Sequence, residues 1–353
     1  MTVKNETMLL LAAAVITSGL FGGGAWWLSQ QFAGAPTGRS SQSPQDTGGT
    51  GVNVAAQVET LAEVAGVPVG TFRYGGSTTF APIRAIADPH IATVWPKFQL
   101  VYVDPITGTP GSGKGIEMLL ANQLTFSQSS RSLKPKEQDA AQAKGFSLQE
   151  IPVAIDGIAI AVNPTLTVPG ITIAQLRDIY TGKITNWQQV GGPNLSITPY
   201  SRDPKDGGTV EFFIEQVLEN EPLGNTVEIV HSTTPGLQKV SQNPGGIYYA
   251  SAPELVPQCT VKPLPLGRVT GEWVAPYQAP LVPPEDCPQQ RNRLNISAFQ
   301  QATYPITRNI FVIVKQDGRQ DEQAGIAYAN LLLSQQGQQL IEEAGFVALG
   351  ASR

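Results

Sequence analysis

The sequence predicts an α/β protein, and three observations carry that expectation. Short runs rich in β-branched and aromatic residues alternate with amphipathic stretches of helical period through the body of the chain. The junctions between them are repeatedly small and polar, as in "GGSTTF" (75–80), "GSGKGIE" (111–117) and "RDPKDGGT" (202–209). The chain has 353 residues, of which 41% are hydrophobic, enough to fill a core divided over two lobes or domains. No tandem repeat accompanies this alternation.

The N-terminus has another character. "MLLLAAAVITSGLFGGGAWWLSQQF" (8–32) carries no charged residue and is about long enough to cross a bilayer, although its glycines weaken a helix there. Residues 1–33 therefore read as a signal peptide or an N-terminal membrane anchor, with Trp26 and Trp27 suited to the interface. "AGA" (33–35) resembles a cleavage site, and Pro36 directly after it favours retention. Residues 34–53, rich in Gly, Ser, Thr and Pro, read as a flexible linker. The folded body begins after it and is expected outside the cytoplasm. In that compartment Cys259 and Cys287, the two cysteines of the chain, are expected to form a disulfide.

In order, "TFRYGG" (71–76) reads as a strand, and "STTFAPIRAIA" as a helix with Ser and Thr available as caps. "FQLVYVD" (98–104) is a strand, "GTPGSGKGIEMLLANQ" a glycine loop entering a helix, and "LTFSQSS" (124–130) a further strand. "KPKEQDAAQAKG" is an exposed helix with Pro near its start and Gly145 at its end. "LQEIPVAIDGIAIAVNP" (148–164) is nearly continuous β-forming sequence and reads as buried strands. "TIAQLRDIYTGKITNW" (172–187) is an amphipathic helix with a turn at Thr181–Gly182. The strand "LSITPYSRD", the helix "GTVEFFIEQVLEN", the strand "NTVEIVHS", the short helix "TPGLQKVSQNPG" and the strand "GIYYASA" follow. Residues 253–288 show little periodicity. "RNIFVIVKQ" (308–316) is a clear strand, and "DEQAGIAYANLLLSQQGQQLIEEAG" gives two helices split near residues 334–337.

Composition narrows the function. A net charge of −5 and a pI near 5.2 argue against a nucleic-acid surface but leave room for a local anion site. His90 and His231 are far apart and lack motif context, so neither a histidine metal site nor an acid–base pair is expected, and no cofactor is implied. Asp203 and Asp206 read as loop solvation or as salt-bridge support for Arg202 rather than as metal ligands.

The three small-residue loops share one design, in which a strand ends and a helix begins among hydroxyls and bare backbone. A helix N-terminus offers unpaired N–H donors and partial positive charge, which suit phosphate or sulfate. Ligands of open α/β sheets lie beyond the carboxyl ends of the strands. "GSGKG" is not a nucleotide P-loop, because Gly115 follows Lys114 where Ser or Thr is required; Lys114 itself reads as solvent-exposed. In "SRDPKDGGTVEFF" (201–213), Arg202 supplies a planar cation, Gly207 and Gly208 bare N–H groups, and Thr209 a helix cap.

These loops, with "DGIAIAVNP", "LTVPGITIAQLRDIYTGKITNW" and "YPITRNIFVIVK", closely resemble the PstS-type phosphate-binding proteins, extracytoplasmic receptors of phosphate ABC transporters. The resemblance runs from about Val69 to the C-terminus. It implies a non-catalytic, monomeric, two-lobed flytrap (type II periplasmic-binding-protein) fold joined by two crossover strands, with lobe 1 formed by 54–153 plus 255–353 and lobe 2 by 154–254. It implies inorganic phosphate as ligand and ABC permease subunits as partners. The binding residues it implies are Thr79, Phe80 (through its backbone N–H), Ser112, Ser130, Arg202, Gly207, Gly208 and Thr209, with Arg131 as a possible accessory. This chain departs from the family in two places. Ser130 stands where the family commonly has an aspartate that accepts a hydrogen bond from protonated phosphate, and Gly207 stands in place of a serine. Both departures leave another oxyanion, such as sulfate or arsenate, open as ligand.

Overall fold

The first lobe opens with β1 (Gly70–Gly76), a 3₁₀ turn over Thr78–Phe80 and α1 (Ala81–Val94). It continues with β2 (Phe98–Tyr102), α2 (Ser112–Leu120), β3 (Phe126–Ser129) and α3 (Pro135–Gln142). β4 (Ser147–Val162) then leads into the second lobe. There the chain forms β5 (Ile171–Thr172), α4 (Ile173–Tyr180), β6 (Thr198–Ser201), α5 (Gly208–Gln216), β7 (Glu228–Ile229), α6 (Thr233–Gln242), β8 (Gly246–Ser251), α7 (Ala252–Leu255), β9 (Lys262–Leu264), β10 (Leu266–Gly267) and α8 (Ile296–Gln300). β11 (Thr307–Gln316), α9 (Gln320–Leu333) and α10 (Gln335–Glu343) return to the first lobe. The structure, a computed structural model, describes residues 58–349 apart from 205, 206 and 288. The expected signal or anchor and most of the linker lie outside the described residues, and among the described residues no helix is long and apolar enough to cross a membrane.

One long strand joins the lobes. The strand order is β2-β1-β3-β11-β4-β8-β6-β7, with β9 also on β4. β4 pairs antiparallel with β11 from Ser147 to Gly157, and then with β8 and β9 from Ile158 to Val162. The distal half of this strand, Ile158–Val162, is apolar throughout because it is fully buried, whereas the proximal half carries Gln149, Glu150 and Asp156 among its apolar residues. The return crossing lies at Ile306, whose carbonyl accepts from the Ile158 N–H at 3.1 Å. Elsewhere the pairings of β1 with β2 and β3, and of β6 with β7 and β8, are parallel, with helices as crossovers.

Two principal cores follow this division. One gathers Phe72, Phe80, Ile83, Ile91, Val312 and Tyr328 of the first lobe. The other gathers Ile160, Tyr180, Trp187, Phe213 and Tyr249 of the second. Val256, Leu264, Leu266, Phe299, Tyr304 and Ile306 belong to the second core. Residues 255–306 therefore pack with lobe 2, not with lobe 1 as the sequence suggested. The reason is that β9 pairs with the distal half of β4 before the chain crosses back. Cys259 and Cys287 form a disulfide within this returning segment, with Cα atoms 5.6 Å apart. The strand expected in "NTVEIVHS" shrinks to the exposed edge pair Glu228–Ile229.

Candidate functional site

The loops predicted from sequence converge where the lobes meet. On the first lobe Ser112 opens α2, and Ser130 follows β3. The Ser130 N–H donates to Ser112 Oγ at 3.0 Å, the two hydroxyls lie 3.2 Å apart, and the Ser77 hydroxyl donates to Ser130 Oγ at 3.0 Å. All three serines are buried, and their hydroxyls satisfy one another. Gly208, the first residue of α5, closes on this cluster from the second lobe. A Cβ at Gly208 would stand 2.3 Å from Ser130 Oγ and 2.5 Å from Ser112 Oγ, so any larger residue would force the lobes apart. Gly207 precedes it at φ +106°, a conformation that disfavours the serine of the family pattern. Gly207 is also the N-cap of α5, so Thr209 lies inside the helix and does not cap it.

Beside this contact lies a small polar cavity of about 20 Å³. It is lined by Thr78 and Thr79 of the first lobe and by Arg202, Thr209, Thr233, Tyr248, Ser251 and Glu254 of the second. That volume suits one or two waters; a tetrahedral oxyanion needs the walls to separate slightly. Thr79 Oγ1 and Thr209 Oγ1 lie 3.5 Å apart across the lobes. Burial pushes the Glu254 carboxyl above its ordinary range and the Tyr248 phenol up to about 12.

A charged pair missed in the sequence supports this cavity. Arg308 on β11 lies opposite Asp156 on β4 in the strand register. Its Nε and Nη2 donate to Asp156 Oδ2 at 2.9 and 2.7 Å. The same guanidinium reaches Thr79 Oγ1 (3.3 Å), Thr209 Oγ1 (3.0 Å) and the Gly208 carbonyl (3.3 Å). The Ser251 hydroxyl donates to the other Asp156 oxygen at 2.6 Å. One buried cation thus ties both lobes to the crossing strands. The available signal was a lone charge in each of two strand-forming, mostly apolar runs, "VAIDGIAIAV" and "TRNIFVIV".

Other expected residues are placed differently. Phe80 is buried in the core, and its N–H donates to the Ser77 carbonyl at 3.3 Å within the 3₁₀ turn. Arg131 is neither accessory to the cavity nor exposed. Its guanidinium makes a bidentate pair with Glu137 (2.7 and 3.0 Å) and donates through Nε to Glu211 on α5 at 3.0 Å. Lys134 joins Glu211 and Glu215, making an inter-lobe ion-pair network at the cleft edge. Burial pushes the Glu211 carboxyl up, but Lys134 and Arg131 together outweigh it and hold the group below the ordinary carboxylate range. Lys114 pairs with Glu117 at 2.9 Å. Asp206 lies outside the described residues. Among the described residues no group of three or more His, Cys, Asp or Glu could hold a metal ion.

A sequence model of the PBP superfamily domain matches residues 59–336. The chain belongs to the PBP superfamily. Relatives within it include the phosphate-binding protein PstS of Staphylococcus epidermidis, 26% identical over 79% of this chain and 79% of that one. Protein SphX of Synechococcus elongatus is 27% identical over 78% of this chain and 77% of its own length. The fold is shared with an ABC-type phosphate transport receptor from Vibrio cholerae, at a TM-score of 0.59 and 23% identity, covering 79% of this chain and 99% of that one. It is shared also with PstS from Borrelia burgdorferi, at a TM-score of 0.52 and 22% identity, covering 79% and 98%. The superfamily's two-lobed α/β architecture is the one that β4 and β11 build here.

Proposed function

We propose that this chain binds inorganic phosphate in the cleft between its lobes, outside the cytoplasm, and delivers it unaltered to an ABC permease. The observation that carries the proposal is one polar cavity in which Arg202 and Thr209 of one lobe face Thr79 of the other. An arginine fork and hydroxyls from opposite walls match a multi-oxygen anion, and closure around it links occupancy to lobe position. The PstS relatives support phosphate as the ligand. Ser112, Ser130, Gly207 and Gly208 act in this reading as the closing contact beside the anion. A monomer, tethered to the membrane if residues 1–33 are retained, suits a receptor of this kind.

Isothermal titration with phosphate, arsenate and sulfate is the test. Binding of phosphate at micromolar concentrations is expected, with no turnover of a chromogenic phosphoester. Absence of binding removes the proposal. A second reading, a receptor for another oxyanion, is favoured by Ser130, which brings no carboxylate to its side of the cleft; tighter binding of sulfate than of phosphate is its signature.

A further inference from the structure

Thr79 and Thr209 each bring a hydroxyl to the cavity from opposite lobes, and their oxygens lie 3.5 Å apart. Arg308 stands behind both and is not among the residues that line the cavity. Its Nη2 amino group meets three acceptors with a pair of hydrogens. Asp156 Oδ2, at 2.7 Å, takes one. The other lies between Thr209 Oγ1 at 3.0 Å and Thr79 Oγ1 at 3.3 Å, a three-centre bond that spans the lobes.

The guanidinium is held so that it cannot turn away from this task. Its Nε also donates to Asp156 Oδ2, at 2.9 Å, and its Nη1 donates to the Gly208 carbonyl at 3.3 Å. The Phe212 ring of α5 lies 5.3 Å from its central carbon. Asp156 is fixed in turn by the Ser251 hydroxyl, which donates to its other oxygen at 2.6 Å.

A guanidinium donates and never accepts. A hydroxyl whose oxygen accepts from it keeps its own hydrogen to give away, and accepting from a cation makes it a stronger donor. Thr79 and Thr209 therefore face the cavity as donors, which an anion's oxygens can accept. This arrangement exists only while the two lobes are together, because one threonine belongs to each. We infer that Arg308 is a positioning residue for anion binding: by one shared N–H it turns a hydroxyl from each lobe into a donor pair, so that closing the cleft and completing its donor set are a single event. The inference deepens the phosphate reading and rests on it. Arg202, which lines the cavity, can meet the anion's charge directly, whereas Arg308 acts through the two hydroxyls.

The experiment is isothermal titration of the full-length chain with sodium phosphate, comparing Arg308→Lys in two backgrounds, the wild type and the double variant Thr79→Val with Thr209→Val. Lysine keeps a cation for Asp156, but a compact ammonium lacks the planar fork that reaches the carboxylate and the shared position together. In the wild-type background Arg308→Lys is expected to weaken phosphate binding about tenfold or more. In the double-variant background, which has no hydroxyls to orient, the same substitution is expected to change affinity by less than about threefold. A purely structural arginine would cost the same factor in both backgrounds, and that result overturns the inference alone. A wild type that binds no phosphate overturns the proposed function and this inference with it. If Arg308→Lys does not fold, the cycle of Thr79→Val and Thr209→Val decides. Sharing one N–H couples the two hydroxyls, so the loss in the double variant should fall about threefold or more short of the product of the single losses. Single losses that simply multiply overturn the inference.

Discussion

Arg308 and Asp156 face each other across β11 and β4, and their side chains meet at 2.7 Å with almost no exposure to solvent. Neither charge could be buried alone; each makes the other tolerable, and the arginine's remaining donors reach Thr79, Thr209 and Gly208. The pair is thus a structural staple at the place where the chain crosses between lobes and the cavity is walled. Asp156→Asn is expected to cost about 3–5 kcal/mol, because it leaves the guanidinium uncompensated. Urea denaturation measures it. The double replacement Arg308→Leu with Asp156→Leu should recover part of the loss, whereas a single-variant loss below about 1 kcal/mol contradicts the assignment.

Gly208→Ala tests the closing contact. The added methyl meets Ser130 Oγ and Ser112 Oγ at 2.3 and 2.5 Å. Both hydroxyls are held in a buried cluster, so the lobes must give way instead. We expect phosphate affinity to fall about tenfold or more and the radius of gyration in small-angle scattering to grow, with the secondary structure unchanged. Unaltered affinity and size would falsify the contact's role.

Arg202→Ala removes the cation that lines the cavity. Truncating one partner of a buried, charge-assisted contact commonly weakens binding by about 30-fold or more. Titration calorimetry reads this directly, and an affinity within about threefold of the wild type takes Arg202 out of the site.

Glu211 gives a pH signature in the stability of the fold. Its carboxyl is held below the ordinary range by Lys134 and Arg131 against the opposing effect of burial. A carboxylate with a depressed folded value stabilises the fold fully above its unfolded value and loses that contribution as pH falls through the folded one. Thermal unfolding should therefore show a stability loss on acidification that Glu211→Gln reduces. The side chain is 25% exposed, so high salt should shrink the effect as well. A variant with the same acid profile as the wild type excludes Glu211 as its source.

Much of this protein is legible in its sequence because local chemistry was decisive. A continuous β-branched and aromatic run places β11, an apolar, alanine- and leucine-rich stretch places α9, Ser334 marks the break before α10, and the glycine-bearing loops before α2 and α5 foretell the starts of those helices. Gly207 and Gly208 are needed for reasons that act on the backbone itself, positive φ and close approach. What only the tertiary structure decided are relationships between residues far apart in the chain. No local pattern says that Asp156 will meet Arg308, 152 residues away, or that Glu254 will share a wall with Thr79. Arg131 reads equally well as a surface arginine or as an accessory to the ligand until Glu137 and Glu211 are brought to it. The membership of 255–306 in the second lobe likewise rests on β9 pairing with the far half of β4. Periodicity and turn chemistry are properties of neighbours in sequence and survive without the fold. The pairing of buried charges and the division of a long strand between two cores exist only once distant segments have been folded together.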